Sequence, residues 1–287
     1  MSRAWEHYEP IPSTSVLVHR DGRRETIPLE PPREGELVVR VQGTSDAESG
    51  NRGAVVEIVA VQEKDELVLG DRLWLFDRAS CGHCETCRRG HGTSCPDYLR
   101  TFLPHLDVDH MVVPSWIAKR ASVRLPVALS TKAAVALGAH AWVLRALRLH
   151  APSNPLRILV LGGGANGRFL GAFLETRWPD ARRILRSSTA APGFHAVSLD
   201  RETLLAALDQ PADLVLCLEQ AAAEDLLGLV CPGVRVVLAG EGGLAMSGSL
   251  AELEATVAAS RGGTPRDLEA FRKQFGAFSE RWDSLES

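Results

Sequence analysis

The order of hydrophobic and polar residues changes along the chain. Residues 13 to 75 contain short runs rich in Val and Leu, separated by Pro, Gly and charged residues, and such runs are typical of β-strands. The runs are STSVLVHR, GELVVRVQ, GAVVEIVAVQ and DRLWLFD, and DHMVVPSWIAKR and SVRLP add extended segments later. No helical period precedes residue 128, so the first part of the chain is predicted to be mostly β-structure.

The second part of the chain alternates between strands and helices. ALSTKAAVALGAHAWVLRALRL is the first long amphipathic helix pattern, and its Ser/Thr pair suits an N-cap. The predicted strands that follow are LRILVLGG, RRILRSS, FHAVSL, ADLVLCLE, VRVVLAGE and ATVAASRG. The predicted helices are NGRFLGAFLETRW, RETLLAALDQ, QAAAEDLLGLV and PRDLEAFRKQFGAFSERW. This alternation predicts a doubly wound parallel sheet with helices on both faces.

The change of pattern predicts an α/β protein of two domains. A chain of 287 residues is long enough for two cores of modest size. The boundary is predicted between residues 128 and 153, next to the segment PSNP. We therefore expect a β-rich domain at residues 1–150 and a doubly wound Rossmann domain at residues 151–287.

Charge and hydropathy exclude several classes of partner. The net charge is −4 and the basic residues are scattered, so the chain has no basic field that would attract nucleic acid or an anionic membrane. The start, MSRAWEHYEPIP, does not resemble a secretory signal, and no window approaches the roughly 18 apolar residues of a membrane span. We therefore expect a cytoplasmic protein whose partner is a small molecule.

A glycine-rich loop joins the first strand of the second domain to a helix. Gly162, Gly164 and Gly167 form G-x-G-x-x-G, with Ala165 and Asn166 between the last two. The first glycine makes the turn, the second admits a pyrophosphate, and the third lets helix and strand pack closely. The helix N-terminus attracts the phosphates. The loop predicts a dinucleotide site, and the alternative is a loop that is glycine-rich only because its turn is tight.

The end of the second strand indicates which dinucleotide is bound. An NAD site favours Asp or Glu there, whereas this chain has Arg186, Ser187 and Ser188. A guanidinium and two hydroxyls suit a 2′-phosphate, so NADP(H) is predicted in preference to NAD(H). The alternative is that Arg182, Arg183 and Arg186 are a solvated strand end.

Four of the six cysteines lie in one short segment, CGHCETCRRGHGTSC. In a reducing cytosol this distribution favours a metal site and two buried thiols, Cys217 and Cys231, over disulfides. Four thiolates fill a tetrahedral shell around Zn²⁺ and leave no position for substrate, so the site is predicted to be structural. The alternative is four free thiols in a metal-free loop. The predicted ligands are Cys81, Cys84, Cys87 and Cys95.

The segment GDRLWLFDRASCGHCETCRRGHGTSCPD resembles the structural-zinc lobe of zinc-containing medium-chain alcohol dehydrogenases. GGGANG stands where that family has its dinucleotide loop, and VCPGVRVVLAGEGG resembles its late strand. The resemblance covers about residues 35 to 272. It implies a GroES-like first domain with a zinc lobe at residues 78–100, a Rossmann second domain, one structural zinc ion per chain, and a homodimer formed through the fifth and sixth strands.

Members of that family bind a second, catalytic zinc ion, whereas this chain resembles a divergent member without its ligands. The positions where the family has its Cys, its His and a further ligand hold Gln42 or Gly43, Asn51 followed by Arg52, and Gly138. His140 lies close by, but a single His on an Ala-rich helix is more often packed in a core. We therefore predict that the protein has no catalytic zinc.

Hydride transfer without a metal needs another group to carry the charge that develops on the substrate. The candidates are Thr44, Ser45 and Asp46, with Arg52 as an oxyanion partner, although an ordinary polar turn explains the same residues. The sequence therefore predicts an NADP(H)-dependent dehydrogenase or reductase that acts on an activated C=C or C=O bond of a small molecule, within a biosynthetic pathway.

Two other functions fit parts of the sequence. A degenerate family member that serves as a binding or partner subunit is favoured by the missing ligands and by the missing acidic residue after the second strand, but the intact glycine loop opposes it. A non-redox elimination or rearrangement on the same fold is the third possibility, and no nucleophile or base in the sequence singles it out.

Overall fold

The structure, a computed structural model, describes residues 5–7, 10–19, 22–45, 51–62, 66–101, 103, 106–162, 166–189, 191–218, 220–222, 226, 229–239, 243–245, 255–260 and 263–286. The chain forms two units. Unit 1 comprises Met1–Ala139 and Thr264–Glu269, and unit 2 comprises His140–Gly263 and Ala270–Ser287. Among the described residues, every helix is too short or too polar to cross a membrane.

Unit 1 is built on an antiparallel sheet. Its strands are β1 (Trp5–His7), β2 (Thr14–Val18), β3 (Arg24–Pro28), β4 (Glu36–Thr44), β5 (Gly53–Gln62), β6 (Arg72–Phe76), β7 (His110–Pro114) and β8 (Ser122–Arg124). Its helices, numbered in chain order, are α1 (Glu85–Arg88), α2 (Ser115–Ala121), α3 (Thr131–Ala139) and α7 (Pro265–Glu269). Five strands pair in the order β7-β4-β5-β6-β8, β1 adds to β5, and β2 and β3 form a separate antiparallel pair.

The central strand of this sheet is buried on both faces. Every residue of β5 is buried except Glu57, which is half-buried. Glu57 accepts hydrogen bonds from Arg40 at 3.0 Å and from Gln42 at 2.8 Å. The run GAVVEIVAVQ therefore contains few polar residues because neither face of the strand meets water, and its one charged residue is paired.

Trp74 of β6 is fully buried and fills the space between two glycines of unit 1. A Cβ atom at Gly138 in α3 would lie 2.1 Å from Cε2 of the indole, and one at Gly53 would lie 2.3 Å from Cζ2. No real Cβ atom approaches another side chain so closely. The indole therefore packs directly against the backbones of α3 and β5, and the glycines make this contact possible.

Unit 2 contains a six-stranded parallel sheet. Its strands are β9 (Arg157–Leu161), β10 (Arg182–Arg186), β11 (Ala196–Val197), β12 (Ala212–Cys217), β14 (Val230–Ala239) and β16 (Thr256–Ser260). They pair in the order β11-β10-β9-β12-β14-β16, so that the first strand in sequence lies third in the sheet. This order, 3-2-1-4-5-6 in chain sequence, is that of the doubly wound dinucleotide-binding fold. The predicted α/β fold class, a β-rich part followed by a Rossmann-type part, is confirmed.

The part of unit 2 that the structure describes also contains helices and one short pair of strands. The helices are α4 (Ala141–His150), α5 (Asn166–Arg177), α6 (Arg201–Leu208) and α8 (Phe275–Glu286). The strands β13 (Gln220–Ala222) and β15 (Gly243–Ala245) pair in parallel outside the main sheet.

Two predicted elements of the sequence have a different secondary structure. DHMVVPSWIAKR was expected to be extended, but its second half is helix α2, which buries Ser115, Ile117, Ala118 and Ala121 on one side. The start of QAAAEDLLGLV was expected to be helical, but Gln220–Ala222 is a strand. Both segments are short, so pairing and burial outweigh intrinsic preference.

Two long predicted helices are interrupted. The first pattern divides into α3 and α4 at His140, whose φ of −98° and ψ of 17° are not helical. The closing pattern divides into α7, a 3₁₀ turn at Arg272–Gln274, and α8. The helical spacing of hydrophobic residues continues across each break. The sequence pattern alone therefore does not reveal where the helix is interrupted.

We expect Gly138→Ala to lower the free energy of unfolding of the first unit by about 1–3 kcal/mol, because the new methyl group would overlap the Trp74 indole. Gly276→Ala is the matched control, since Gly276 also lies in a helix but has open space beside it. The control should leave stability unchanged or raise it by up to about 1 kcal/mol. Urea unfolding followed by tryptophan fluorescence measures both, and equal midpoints for the two variants would contradict the packing described.

Candidate functional site

The four clustered cysteines come together in the segment between β6 and β7. Their sulfur atoms all lie within 4.8 Å of one another. Cys84 caps α1 by accepting a hydrogen bond from the Cys87 N–H, so the short helix itself fixes the spacing of two of the sulfurs. Cys81 and Cys95 are buried, whereas Cys84 and Cys87 are half-buried. The structure thus brings together all four predicted ligands, and the cluster could hold a metal ion.

Electrostatics of the cluster also favours a cation. Backbone N–H groups of Cys81, Cys84 and Cys87 point at sulfur atoms at 3.3–3.5 Å, which stabilises thiolates. Burial raises the pKa of the Cys95 thiol, but the backbone N–H groups around its sulfur outweigh burial and lower that pKa overall. Burial and the neighbouring Cys84 sulfur raise the pKa of Cys87. Four thiolates this close repel one another unless a cation lies between them, and such a donor set fits Zn²⁺.

The two other cysteines differ in burial. Cys217 is fully buried in the core of unit 2, and burial raises the pKa of its thiol to about 12. Cys231 is half-buried rather than buried, because it lies near the start of β14 where the strand is partly exposed.

The predicted dinucleotide loop begins at the carboxyl end of β9. Gly162 has a φ of +74°, a left-handed conformation that glycine adopts without strain, as its predicted turn requires. Gly164 and Ala165 lie outside the described residues. Asn166 and Gly167 open α5, and a Cβ atom at Gly167 would lie 3.1 Å from Cβ of Ala191. The third glycine of the motif thus permits close packing of the start of the helix against the segment that follows β10.

Arg186 and Ser187 lie at the same edge of the sheet as Gly162. Arg186 is the last residue of β10, pairs with Leu161, and accepts a 3.0 Å hydrogen bond from Gly162 through its carbonyl oxygen. The Ser187 hydroxyl accepts a hydrogen bond from Thr189 N–H at 3.0 Å and still has its own proton to donate. The sheet therefore places the backbone of Arg186 next to the glycine turn, with Ser187 as the following residue.

The neighbouring arginines of β10 do not form a single solvated group. Arg182 is exposed at the start of the strand, whereas Arg183 is only 5% exposed. The Arg183 guanidinium donates to the carbonyl oxygens of Trp178, Pro179, Ala181 and Gly193. The interpretation of all three arginines as a solvated strand end is therefore wrong for Arg183.

The Asn166 side chain contacts His140, a residue that the motif does not include. His140 Nε2 lies 2.9 Å from Asn166 Oδ1, and the imidazole stacks on Phe169 with ring centroids 4.0 Å apart. His140 occupies the turn between α3 and α4. Sequence reasoning gave it only a packing role, because its contact with Asn166 spans 26 residues and depends on the fold.

The predicted catalytic residues of unit 1 lie around the connection from β4 to β5. Ser45 is buried, donates to the Asn51 carbonyl oxygen at 2.8 Å and accepts from Gly53 N–H at 3.1 Å. Arg52 donates to Asp107 at 2.7 Å. Asp46 lies outside the described residues. Ser45 thus holds the connection together, and its hydroxyl is engaged by backbone groups.

A cavity of about 460 Å³ opens beside these residues. Thr44, Ser45 and Arg52 line it together with an aliphatic floor. The floor residues are Val16, Val18, Val41, Leu106 and Val108. The other side chains that line the cavity are polar or charged, namely His19, Arg24, Gln42, Asp107 and Asp109. A concave site that combines apolar and polar groups can bind a small molecule. Thr44 and Arg52 are half-buried and can contact a small molecule there.

Asp77 is a residue that the sequence pattern did not single out. It follows β6, is 8% exposed, and donates its backbone N–H to the Arg52 carbonyl oxygen at 3.1 Å. Burial raises the pKa of its carboxyl group, although the charges of Arg78 and Arg52 oppose that shift. A carboxyl group that keeps its proton more tightly than usual can take part in proton transfer. An acid directly after an apolar strand is the sequence signal that could have suggested it.

Two positions that the resemblance associates with catalytic zinc have other roles here. Gln42 donates to Glu57 and accepts from Arg72 Nε at 3.1 Å, so its amide joins two charged groups. Gly138 lies under the Trp74 indole, so a side chain there would displace the tryptophan. Both positions are occupied by packing or hydrogen bonds of unit 1.

No protein-family model and no curated protein sequence matches the chain. Solved structures do. AibC is 20% identical, with 96% of this chain and 97% of AibC covered and a TM-score of 0.72. A short chain alcohol dehydrogenase from E. coli CFT073, complexed with NADH, is 17% identical, with 94% of this chain and 88% of that chain covered and a TM-score of 0.67.

A third similar structure is a thermostable alcohol dehydrogenase from Pyrobaculum aerophilum with cobalt and zinc bound. It is 17% identical, with 95% of this chain and 94% of that chain covered and a TM-score of 0.66. Likeness at this level of identity concerns the fold. The chain therefore has the fold of the alcohol dehydrogenases, in which a β-rich part is joined to a doubly wound parallel sheet.

Proposed function

We propose that the protein is an NADP(H)-dependent oxidoreductase that works without a catalytic zinc ion. The observation that carries the proposal is the meeting of Gly162, Asn166 and Arg186 at the carboxyl edge of a sheet with the 3-2-1-4-5-6 strand order. In such sheets, ligands bind outside the carboxyl ends of the strands, at the position where the strand order reverses. That position lies between β9 and β12.

Preference for NADP(H) rests on the charge at the end of β10. A 2′-phosphate would meet the Arg186 guanidinium and the Ser187 hydroxyl, and neither Arg186 nor Ser187 is followed by a carboxylate before residue 200. Arginine pairs well with phosphate because its N–H groups form a planar fork. The ribose diol of NAD(H) would lack the carboxylate acceptor that usually binds it.

The cavity of unit 1 supports a small substrate with a carbonyl group. NADP(H) supplies or takes the hydride when bound. In the proposed reduction, negative charge would develop on the carbonyl oxygen of the substrate, and the Thr44 hydroxyl and the Arg52 guanidinium, which line the cavity, would be its hydrogen-bond donors. The aliphatic floor would hold the carbon skeleton of an activated C=C or C=O compound.

The structural role proposed for zinc rests on the donor set. Cys81, Cys84, Cys87 and Cys95 would fill all four positions of a tetrahedral ion, so the ion would stabilise the segment between β6 and β7 without binding substrate.

We also propose that two copies associate through β16. Among the described strands, β16 pairs only with β14, and Val257 on it is 36% exposed. An edge strand with an exposed apolar residue is a ready partner for a second strand. Val257→Lys should convert a dimer into a monomer in sedimentation velocity, and a wild-type monomer would contradict the proposal.

Arg186→Asp should raise the Kd for NADPH by about 10- to 100-fold, because it removes a charge-assisted hydrogen bond and adds repulsion, and should change the Kd for NADH by less than about threefold. Tryptophan fluorescence titration measures both constants. Arg182→Asp, at the other end of β10, is the matched control and should change neither. Equal effects on the two cofactors would remove the case for phosphate recognition, and no binding of either by the wild type would favour a partner subunit instead.

Cys87→Ser should reduce the zinc content from one ion per chain towards zero and lower the unfolding midpoint by about 5 °C or more, because a ligand of a closed shell is lost. Elemental analysis and thermal unfolding measure the two effects. Cys231→Ser, remote from the cluster in sequence, is the control and should keep its zinc. Two zinc ions per wild-type chain would overturn the assignment of a single structural site.

A further inference from the structure

His140 and Asn166 form a hydrogen bond between side chains at the start of α5. The Nε2 atom of His140 lies 2.9 Å from Oδ1 of Asn166. A carboxamide oxygen can only accept a hydrogen bond, so the ring nitrogen is the donor and His140 carries a proton on Nε2. The pair therefore has a defined polarity, from imidazole to amide oxygen.

The plane of the His140 imidazole is held by aromatic packing. The imidazole lies parallel to the ring of Phe169, at an interplanar angle of 8° and a centroid distance of 4.0 Å. Phe169 is fully buried and is itself stacked on Phe173 and packed against Phe278 of α8, with centroids 5.7 and 5.6 Å away. Tilting the imidazole out of this plane would lose the stack, so packing holds the plane of the ring, and the hydrogen bond to Asn166 holds Nε2 on the side of Oδ1.

The hydrogen bond decides which end of the Asn166 amide faces away from His140. The two ends of a carboxamide have almost the same shape but opposite hydrogen-bonding roles. With Oδ1 held by His140, the Nδ2 amino group points elsewhere, and nothing among the described residues accepts from it. Asn166 begins α5, where free backbone N–H groups and the helix dipole favour an anion.

We propose that His140 is a positioning residue for nucleotide binding, because it selects the orientation of the Asn166 amide in which Nδ2 donates to a phosphate of the dinucleotide. The flipped amide would present an oxygen atom to the same phosphate and repel it. This inference rests on the proposed dinucleotide site. A packing role needs only the ring of His140, whereas the orientation of the Asn166 amide needs the ring N–H.

His140→Phe separates these two roles, because Phe keeps the stack on Phe169 and lacks the N–H. The variant should bind NADPH about fivefold more weakly, as expected for one hydrogen bond, with its unfolding midpoint within about 2 °C of the wild type. His140→Gln, which can donate, should recover most of the affinity. His150→Phe, at the other end of α4, is the matched control and should bind as the wild type does.

A double-mutant cycle tests whether His140 acts through Asn166. Asn166→Ala removes the amide that His140 orients, so adding His140→Phe to it should cause no further loss of NADPH affinity. Equal losses in the two backgrounds, or unchanged affinity in His140→Phe, would overturn the inference and leave the proposed function intact. Absence of NADPH binding by the wild type would overturn both.

If His140→Phe does not fold, the NADPH affinities of another pair of variants test the inference. His140→Gln and His140→Leu both lose the stack, and only Gln can donate a hydrogen bond. Affinity for NADPH about fivefold higher in the Gln variant than in the Leu variant would support the inference, and equal affinities would overturn it.

Discussion

The register of the parallel sheet fixes which residues of unit 2 meet. Leu161, at the end of β9, pairs with Arg186 of β10 on one side and with Cys217 of β12 on the other. Parallel strands with matched ends expose their carboxyl ends at one edge, so the glycine turn, the start of α5 and the end of β10 come together there. A slip of one residue would turn every side chain of β10 to the opposite face of the sheet. The proposed cofactor site depends on this register.

Repulsion between sulfur atoms is the corresponding constraint in unit 1. The sulfur atoms of four cysteines lie within 4.8 Å of one another, and backbone N–H groups point at them, which stabilises thiolates. A cation between the sulfur atoms would balance the negative charge of these thiolates. The short helix α1 and the turns around it bury few residues of their own. A metal ion would therefore supply the cohesion that apolar contacts do not supply in this segment.

The predicted catalytic residues of unit 1 differ in whether their side chains are bonded to the backbone or border the cavity. Ser45 is engaged by the backbone of Asn51 and Gly53, so its hydroxyl stabilises the connection between β4 and β5. Thr44 and Arg52 border a cavity with an aliphatic floor, and Asp107 balances the charge of Arg52. The polar turn seen in the sequence is therefore partly structural and partly open to a ligand.

Sequence alone determined the features that depend on local pattern. Alternating apolar strands and helices predicted the doubly wound sheet, G-x-G-x-x-G predicted a left-handed turn at Gly162, and the spacing of four cysteines predicted their cluster. Each of these follows from residues close together in the chain, whose geometry is limited by backbone sterics and by hydrophobic period. The helix α2 and the strand Gln220–Ala222 escaped prediction because their short segments follow long-range contacts.

Only the tertiary structure decided the contacts between residues far apart in the chain. The Trp74 indole lies between Gly53 and Gly138, Asp77 lies beside Arg52, and His140 meets Asn166 across 26 residues. No local pattern encodes such contacts, because each of these residues is compatible with the secondary structure of its own segment whether or not the distant partner is present. Their positions are set when the buried faces of the sheets and helices pack, and packing depends on the whole fold.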